Sequence, residues 1–186
     1  MINVLNKLLN RFYYFVGAIM YKNELPPVKD GRYHGYMTVI NIEDGLAFTL
    51  YGGSYLDRVK GVPGIKLAAE VDHPCDYELA IPDFSTPTER EVALLIDWII
   101  NTTRDNYELY LGCWGGFGRT GLIAACILVA LEEQDPLDAI VRVRREIHGH
   151  CIETHEQRNF IVRFADLVNA NGGIRPLIDL AKEQLI

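Results

Sequence analysis

The chain has 186 residues and a mass of 21.1 kDa, a size that fits one domain. Hydrophobic residues make up 49% of it and charged residues 23%, as in ordinary soluble globular proteins. The formal net charge of -7 argues against general binding to nucleic acid or to anionic membranes, because both require a basic surface. An anionic substrate would therefore have to be recognised by a local site.

Four cysteines, Cys75, Cys113, Cys126 and Cys151, lack the C-x-x-C spacing of a zinc ribbon or a thioredoxin motif. Cys126 lies in a continuously apolar stretch, which is typical of a buried thiol in a reducing compartment. We therefore expect a cytoplasmic protein.

The first 30 residues carry apolar side chains at helical spacing: Leu5, Leu8, Leu9, Phe12, Phe15, Val16 and Ile19. Lys7 and Arg11 precede an apolar run, as in a secretory signal, but no small-x-small cleavage site follows and the run is too short to span a bilayer. We expect residues 1–30 to form a helical extension that packs on the main domain, residues 31–186, or contacts a partner. No transmembrane segment is predicted.

Beyond Pro27, runs of apolar and β-branched residues separated by glycines predict strands at 37–42, 46–50, 65–71 and 77–81. A short helix is expected at 54–60. Thr86-Pro87-Thr88-Glu89 is a capping box with proline at the first helical position, and it predicts a helix that runs to about Thr102.

The second half is richer in helices. A strand is predicted at 107–112, a glycine-rich turn at 113–121, and a helix at 122–133 that is apolar on nearly every face and so belongs in the middle of a domain. Capping signals at Asp135 and Thr154 begin two more helices, which end near Ile147 and Asn171, and Pro176 begins a short terminal one. This order predicts an α/β fold with a central mixed sheet flanked by helices.

The segment 112–121, GCWGGFGRTG, has two possible interpretations. Residues 116–121 match G-x-G-x-x-G after a strand and before a helix. A dinucleotide site also needs a second strand that ends in an acidic residue about 20 positions later, and here residues 135–147 are helical. The lysine of a nucleotide P-loop is also absent, so we reject this interpretation.

The second interpretation is C-x5-R-T, from Cys113 to Thr120. A loop between a strand and a helix N-terminus can turn its backbone N–H groups towards an anion, and glycines let that backbone approach the ligand. Arg119 offers a guanidinium fork for two phosphate oxygens. The same N–H groups would stabilise a thiolate at Cys113, with Thr120 bonding the sulfur. The loop that would hold the phosphate comprises Trp114, Gly115, Gly116, Phe117 and Gly118.

A purely structural alternative is a buried cysteine beside a glycine turn, with Arg119 in a surface ion pair. A second motif argues against it. A cysteinyl-phosphate reaction needs an acid to protonate the departing oxygen. Ile81-Pro82-Asp83-Phe84 supplies Asp83 in a loop just ahead of a capped helix.

Three stretches, GFGRTG, DAIVRVRREI and IETHEQRNF, resemble the small atypical dual-specificity phosphatases of the cysteine-based protein tyrosine phosphatase superfamily. The likeness is greatest to the VHZ type, in which an IPDF acid loop precedes an HCxxGxxRTG signature, and it covers residues 45–168. The resemblance implies the single-domain cysteine-dependent phosphatase fold and a two-step reaction without metal or cofactor. It implies Cys113 as nucleophile, Arg119 as phosphate clamp and Asp83 as acid and then base. Phosphotyrosine, and with it phosphoserine and phosphothreonine, in proteins would be the substrate.

Gly112 departs from this pattern, since the family usually has a histidine immediately before the nucleophile, where it orders the loop and favours the thiolate. A phosphate-binding pseudophosphatase or interaction module with little turnover therefore remains a second hypothesis. The intact Cys113, Arg119 and Asp83 favour the enzyme. An RNA 5′-phosphatase is less favoured, because the formal net charge of -7 would repel RNA.

Two features near the C-terminal half have less specific interpretations. Gln157 is expected to cap its helix in a Thr154-x-x-Gln157 box, although the resemblance places it near the site. Arg142, Arg144 and Arg145, with two histidines after them, are expected to form a solvated helix face, the alternative being a secondary contact for an anionic substrate.

Overall fold

The computed structural model describes residues 33–184 and 186, so the predictions for residues 1–30 lie outside the described residues. The strands are β1 (Gly35–Ile40), β2 (Ala47–Ser54), β3 (Gly64–Lys66), β4 (Tyr77–Glu78) and β5 (Glu108–Cys113). The helices are α1 (Glu89–Thr102), α2 (Gly118–Glu132), α3 (Pro136–Glu146), α4 (His155–Ala170) and α5 (Ile174–Lys182). A 3-10 helix at Tyr55–Asp57 follows β2.

The strands form one mixed sheet in the order β1-β2-β5-β3-β4. Only β1 runs antiparallel to its neighbour, while β2, β5, β3 and β4 are mutually parallel. Parallel strands end at the same edge of a sheet, so the residues that follow β2, β3, β4 and β5 all leave from that edge. The predicted α/β class with a central mixed sheet is confirmed.

Helix α2 forms the centre of the core. Every residue from Gly118 to Leu131 is buried, as expected for a helix that is apolar on nearly every face. It contacts three other helices, α1, α3 and α4, and three strands of the sheet. Although α2 is so apolar, no helix of the described residues is long and apolar enough to cross a membrane.

Side-chain caps mark the starts of α1, α3 and α4, whereas α2 and α5 have none. The predicted box at Thr86 and Glu89 was wrong by two residues: Thr88 and Glu91 form it, so Pro87 precedes α1 instead of taking its first position.

Thr88 and Thr154 each form a complete capping box, and Asp135 accepts a hydrogen bond from the Leu137 N–H at 2.8 Å. Helix α2 is different, because its N-cap residue, Phe117, gives no side-chain hydrogen bond. The first N–H groups of α2 therefore have no side-chain cap, which leaves that end suited to an anionic ligand.

Several predicted boundaries were wrong. Strand β2 continues to Ser54 rather than Leu50, β4 ends at Glu78 rather than Ile81, and the helix expected at 54–60 is only the 3-10 helix at Tyr55–Asp57. Helix α2 begins at Gly118 rather than Leu122, so its first turn includes part of the predicted glycine-rich turn. Strand β3 ends at Lys66 rather than Val71, because the chain leaves the sheet there. Helix α5 begins at Ile174, two residues before Pro176, since a proline is tolerated within the first turn.

Candidate active site

Loops from four parallel strands meet at the edge where those strands end. The loop after β5 contains Cys113 and leads into α2, the loop after β4 carries Asp83, and the loop after β3 carries Glu70. The backbone pairing of Ser54 with Cys113 brings the 3-10 helix after β2 alongside. The parallel topology thus gathers residues that are far apart in the sequence.

The sulfur of Cys113 accepts two hydrogen bonds from its own loop. The Gly116 N–H donates to Sγ over 3.3 Å, and the Thr120 hydroxyl donates to it over 3.2 Å. The same hydroxyl accepts from the Cys113 N–H at 3.1 Å, so Thr120 is fixed by both contacts. Cys113 is only 3% exposed. Two donors of the same loop thus converge on one buried sulfur.

Two glycines of the loop lie close to atoms of other segments. Gly116 has φ +78°, and a Cβ atom there would overlap the backbone of Gly53 and Ser54. A Cβ atom on Gly118 would overlap the carboxylate of Glu153. The loop can therefore lie against the segment after β2 only with glycine at position 116, whereas at position 118 the flexible Glu153 side chain could move aside.

The guanidinium of Arg119 is buried, and three groups hold it. Nη1 donates to the Ile81 carbonyl oxygen at 2.9 Å, and Nη2 lies 2.6 Å from Oε1 of Glu70 and 3.2 Å from Oδ1 of Asp83. Burial lowers the pKa of Arg119, but the bond to Glu70 and the nearby anionic groups raise it above its ordinary value overall. Arg119 also holds the pKa of the Glu70 carboxyl below its usual range. The guanidinium is therefore not at the surface, as the structural alternative had it, although it does form ion pairs with two partly exposed carboxylates.

Asp83 lies in an exposed loop above the Cys113 loop. Its side chain is 60% exposed, and its Oδ1 accepts a hydrogen bond from the Phe84 N–H at 3.1 Å. Phe84 has φ +58°, an unfavourable backbone conformation for an aromatic residue, and its ring faces solvent. Such strained backbone is concentrated at functional sites. Asp83 thus reaches the same guanidinium as Glu70 from a more open loop.

The structure explains why position 112 has no side chain. A Cβ atom on Gly112 would lie 2.8 Å from the backbone nitrogen of Tyr55 and 2.9 Å from both the Gly53 oxygen and the Tyr55 Cα. These are backbone atoms of the neighbouring segment, so they cannot move aside as a side chain would. A histidine at this position is excluded unless that segment shifts.

The other residues of the predicted loop line its outer side. Trp114 is 56% exposed at the surface, while Phe117 is half-buried. The Phe117 ring stacks on His34 at a centroid distance of 4.6 Å and lies 4.7 Å from the ring of His148. Phe117 is therefore enclosed by imidazole rings.

Glu70 and His34 were missed in the sequence. Glu70 lies within the apolar run that predicted a strand over 65–71, and its only signal was a charge near the end of that run. His34 precedes the first predicted strand, where no pattern singled it out. Both come close to the site through the topology of the sheet.

Gln157 has the predicted capping role. Its Oε1 accepts from the N–H groups of Thr154 at 3.3 Å and Glu153 at 2.8 Å, while its Nε2 is buried without a partner among the described residues. The arginine stretch is a solvated face only in part, since Arg145 is exposed but Arg142 and Arg144 are held by other groups. Arg142 is paired with Glu132 at 2.6 Å, and Arg144 donates to the backbone carbonyls of residues 151 and 152.

A family model described as a Swiss Army Knife protein, DSP-PTPase phosphatase domain (PTP-SAK), matches residues 66–161. This range includes Asp83 and the whole loop from Cys113 to Thr120. The chain belongs to the DSP-PTPase family of phosphatase domains. The predicted resemblance to an atypical dual-specificity phosphatase is confirmed.

The DSP-PTPase domain is similar to two curated proteins of different length. Cyclin-dependent kinase inhibitor 3 of Rattus norvegicus is 31% identical over 91 residues, which cover 48% of this chain and 43% of the rat protein. The uncharacterized protein MJECL20 of Methanocaldococcus jannaschii is 23% identical over 146 residues, which cover 72% of this chain and 94% of that protein. The chain therefore matches less than half the length of the rat relative.

Solved structures share the fold of the DSP-PTPase domain at low sequence identity. Tk-PTP in its active form has a TM-score of 0.56 and 22% identity, with 66% of this chain and 93% of that chain covered. Kinase associated phosphatase, with its catalytic cysteine substituted by serine, has a TM-score of 0.57 and 18% identity, with 74% and 97% covered. The single-domain phosphatase fold is thereby confirmed.

Proposed function

We propose that this chain is a protein phosphatase that hydrolyses phosphotyrosine, and also phosphoserine and phosphothreonine, through a cysteinyl-phosphate intermediate. The observation that carries the proposal is the pair of hydrogen bonds to the Cys113 sulfur, from Gly116 at 3.3 Å and Thr120 at 3.2 Å. These donors stabilise a thiolate at the N-terminus of α2, where backbone N–H groups also favour a phosphate.

In the first step, the Cys113 thiolate attacks phosphorus, and the bond from phosphorus to the ester oxygen breaks. Asp83 gives its proton to the departing oxygen, so the alcohol or phenol leaves uncharged. Arg119 and the N–H groups of residues 114–118 hold the non-bridging oxygens, whose charge they stabilise in the transition state. The phosphate takes the place beside the guanidinium that the Asp83 carboxylate occupies at 3.2 Å in the free protein.

In the second step, water attacks the cysteinyl phosphate and the sulfur–phosphorus bond breaks. Asp83, now ionised, takes a proton from the attacking water. The Thr120 hydroxyl donates to the sulfur as it departs as a thiolate, which its 3.2 Å contact supports. Inorganic phosphate is released, and Cys113 and Asp83 return to their starting forms.

The charges around the site support a substrate with a single phosphate group. Glu70 and Asp83 are carboxylates at the mouth, and the loop from Trp114 to Gly118 contains no lysine. Lys66, on the same sheet edge, is bound to Glu78 at 3.0 Å and to the Val71 carbonyl oxygen at 3.1 Å. Polyanionic substrates such as phosphoinositides or the 5′ ends of RNA would meet these carboxylates, and the loop from Trp114 to Gly118 has no lysine to offset them.

The proposal also includes the partners and the compartment. The substrate is a phosphoprotein, and no nucleic acid takes part. All four cysteines are free thiols, and thiolate catalysis requires Cys113 to stay reduced, so we place the protein in the cytoplasm. Contact of the N-terminal segment with a partner remains a prediction.

The deciding experiment compares the wild-type protein with Cys113→Ser in EDTA. The substrates are p-nitrophenyl phosphate and three peptides of otherwise identical sequence, which carry phosphotyrosine, phosphoserine or phosphothreonine at the same position. We expect hydrolysis that orthovanadate inhibits and that Cys113→Ser abolishes. Acid quenching during turnover of radiolabelled substrate should leave label on the peptide that contains Cys113.

Cys75→Ser is the matched control, because Cys75 is also a free thiol but lies outside the Cys113 loop. It should keep wild-type turnover. Wild-type protein that binds vanadate with no measurable hydrolysis of any substrate would refute the enzyme and support the pseudophosphatase. Activity retained in Cys113→Ser would refute the nucleophile.

A further inference from the structure

The loop that joins α3 to α4 packs against the first turn of α2. Its residues Cys151 and Ile152 are buried in the core. A Cβ atom on Gly121 would lie 2.5 Å from the Cβ of Cys151 and 2.9 Å from the Ile152 nitrogen, so the loop and the helix touch at the Gly121 backbone. Arg119 and Thr120 immediately precede Gly121 in the chain. The loop therefore supports the turn that carries both of these side chains.

The backbone of this loop has an unfavourable conformation at Ile152. Its φ of +64° lies in the left-handed region, which β-branched residues rarely adopt. Backbone of this kind persists only where the surrounding structure holds it in place. The loop therefore needs other contacts to keep its path against α2.

Arg144, in the last turn of α3, makes two such contacts. Its Nε donates to the Cys151 carbonyl oxygen at 3.0 Å, and its Nη2 donates to the Ile152 carbonyl oxygen at 3.0 Å. These two nitrogens lie on one edge of a planar guanidinium, so one side chain binds two successive peptide groups, which a lysine cannot do in this geometry. From α4, Oε1 of Gln157 accepts from the Glu153 N–H at 2.8 Å. Side chains of both flanking helices thus hold the main chain of the loop.

The first turn of α2 connects this loop with the nucleophile. The hydroxyl of Thr120 donates to Sγ of Cys113 at 3.2 Å and accepts from the Cys113 N–H at 3.1 Å. The guanidinium of Arg119, one residue earlier, is the group proposed to bind the phosphate. Contacts therefore run without a break from Arg144 through the 151–152 backbone and Gly121 to the sulfur.

We propose that Arg144 is a positioning residue, which holds the backbone at 151–152 and so keeps the first turn of α2 where Thr120 reaches the sulfur and Arg119 the phosphate. The inference rests on the proposed function only in taking the Cys113 loop as the phosphate site. Without the guanidinium, the strained backbone at Ile152 relaxes and the support beside Gly121 is lost. A small shift is enough, because a misplacement of about 1 Å can cost roughly a hundredfold in rate.

The test compares Arg144→Ala with the wild type by calorimetric titration with orthovanadate and by kcat/KM for p-nitrophenyl phosphate. We expect both vanadate affinity and kcat/KM to fall roughly ten- to a hundredfold. Hydrogen exchange of the peptide that contains residues 118–121 should become faster. Arg144→Lys should recover little, because an ammonium keeps the charge but lacks the two paired donors.

Added guanidinium ion separates positioning from a loss of stability. In Arg144→Ala it can occupy the vacated space and donate again to the two carbonyl oxygens. Millimolar guanidinium should therefore restore part of the vanadate affinity, whereas urea should not. A variant that had only lost stability would be weakened further, because guanidinium is a denaturant. Lost affinity that guanidinium does not restore at all would overturn the proposal.

Arg142→Ala is the matched control. Arg142 lies two residues earlier on α3, is also partly buried and also donates to a backbone carbonyl, but that carbonyl belongs to Thr38 in β1. It should keep the wild-type vanadate affinity and the wild-type exchange of residues 118–121.

Unchanged vanadate affinity in folded Arg144→Ala overturns the proposal, as does an equal loss in Arg142→Ala. If Arg144→Ala does not fold, Arg144→Lys decides by the same comparison. Vanadate binding needs no turnover, so this failure differs from that of the proposed function, which is absence of hydrolysis in the wild type.

Discussion

The Nη2 atom of Arg119 lies 2.6 Å from Oε1 of Glu70, although the two residues are 49 positions apart in the sequence. Glu70 follows β3, and Arg119 lies in the first turn of α2. The Arg119 side chain is only 3% exposed and that of Glu70 is 42% exposed. A surface carboxylate thus holds a buried guanidinium from its solvent side. The orientation of the Arg119 guanidinium therefore depends on a residue outside the Cys113 loop.

Glu70→Gln should weaken vanadate binding roughly two- to fivefold, the effect of losing a partly exposed ion pair. The acidic limb of the pH–rate curve should not move. Arg119 lowers the Glu70 pKa below its ordinary 4.5, so the pair is fully formed above that value and is lost only as pH falls through the lower pKa. Vanadate titration and a pH–rate profile check both points.

Glu78→Gln is the control, since Glu78 is a similarly exposed carboxylate that pairs with Lys66 on the same sheet edge. It should bind vanadate like the wild type. Tighter binding by Glu70→Gln would contradict the prediction and would mean that Glu70 competes with the ligand for the guanidinium.

Asp83→Asn should slow hydrolysis by roughly two to four orders of magnitude for phenyl or alkyl phosphates, the usual contribution of general acid catalysis. The loss should be much smaller for p-nitrophenyl phosphate, whose leaving group needs no proton. A series of aryl phosphates with different leaving groups measures this dependence. An equal loss across the series would mean that another carboxylate is the general acid. Glu70 would be the first candidate, because it contacts the same guanidinium.

Gly112→Ala should destabilise the protein by about 1–3 kcal/mol, the cost of forcing extra atoms into packed surroundings. The added Cβ would lie 2.8 Å from the Tyr55 nitrogen and 2.9 Å from the Gly53 oxygen. Thermal and denaturant unfolding measure the change. Gly149→Ala is the control, because no atom lies within 4 Å of a Cβ there. If the two variants were equally stable, the backbone of the segment after β2 would have to shift at little cost in the free energy of unfolding.

Local signals in the sequence predicted much of this fold. The proline after Asp135 predicted where α3 begins, and the segment from Thr86 to Glu89 predicted the start of α1 to within two residues, because these signals act within one turn of helix. The start of α2 could not be read in the same way. Its first turn, from Gly118, has no side-chain cap and is rich in glycine, and in a sequence both features are typical of a loop.

The site was predicted where its residues are close in sequence. Cys113, Arg119 and Thr120 lie on one loop, so their spacing was sufficient to infer that they meet. Glu70 was assigned to a strand because hydrophobic periodicity cannot show where a chain must leave a sheet to reach a distant guanidinium. His34 reaches the site through the pairing of β1 with β2, a long-range contact that has no local signal.

The stability of the protein should depend on pH through His34. Burial lowers its pKa below the ordinary 6.5, so the unfolded chain binds more protons there than the folded one. The contribution to stability is complete above pH 6.5 and is lost as pH falls from 6.5 towards the folded pKa. Denaturant unfolding between pH 5 and 8 should show a smaller decrease in His34→Phe than in wild type. An equal decrease in both would assign the effect to other groups.

The burial of α2 has a consequence for the motion of the helix that follows the Cys113 loop and of the loop that carries Asp83. Since α2 is buried along almost its whole length, its amide hydrogens should exchange with solvent only when the entire domain unfolds. The exposed loop around Asp83 has few such constraints, and its amides should exchange through local openings. The helical part of the proposed anion site, from Gly118, should thus be among the slowest-exchanging segments described, and Asp83, the proposed proton donor, should lie in a segment that exchanges through local opening. A substrate would meet a rigid receptor beneath a loop that opens and closes many times while the helix stays intact.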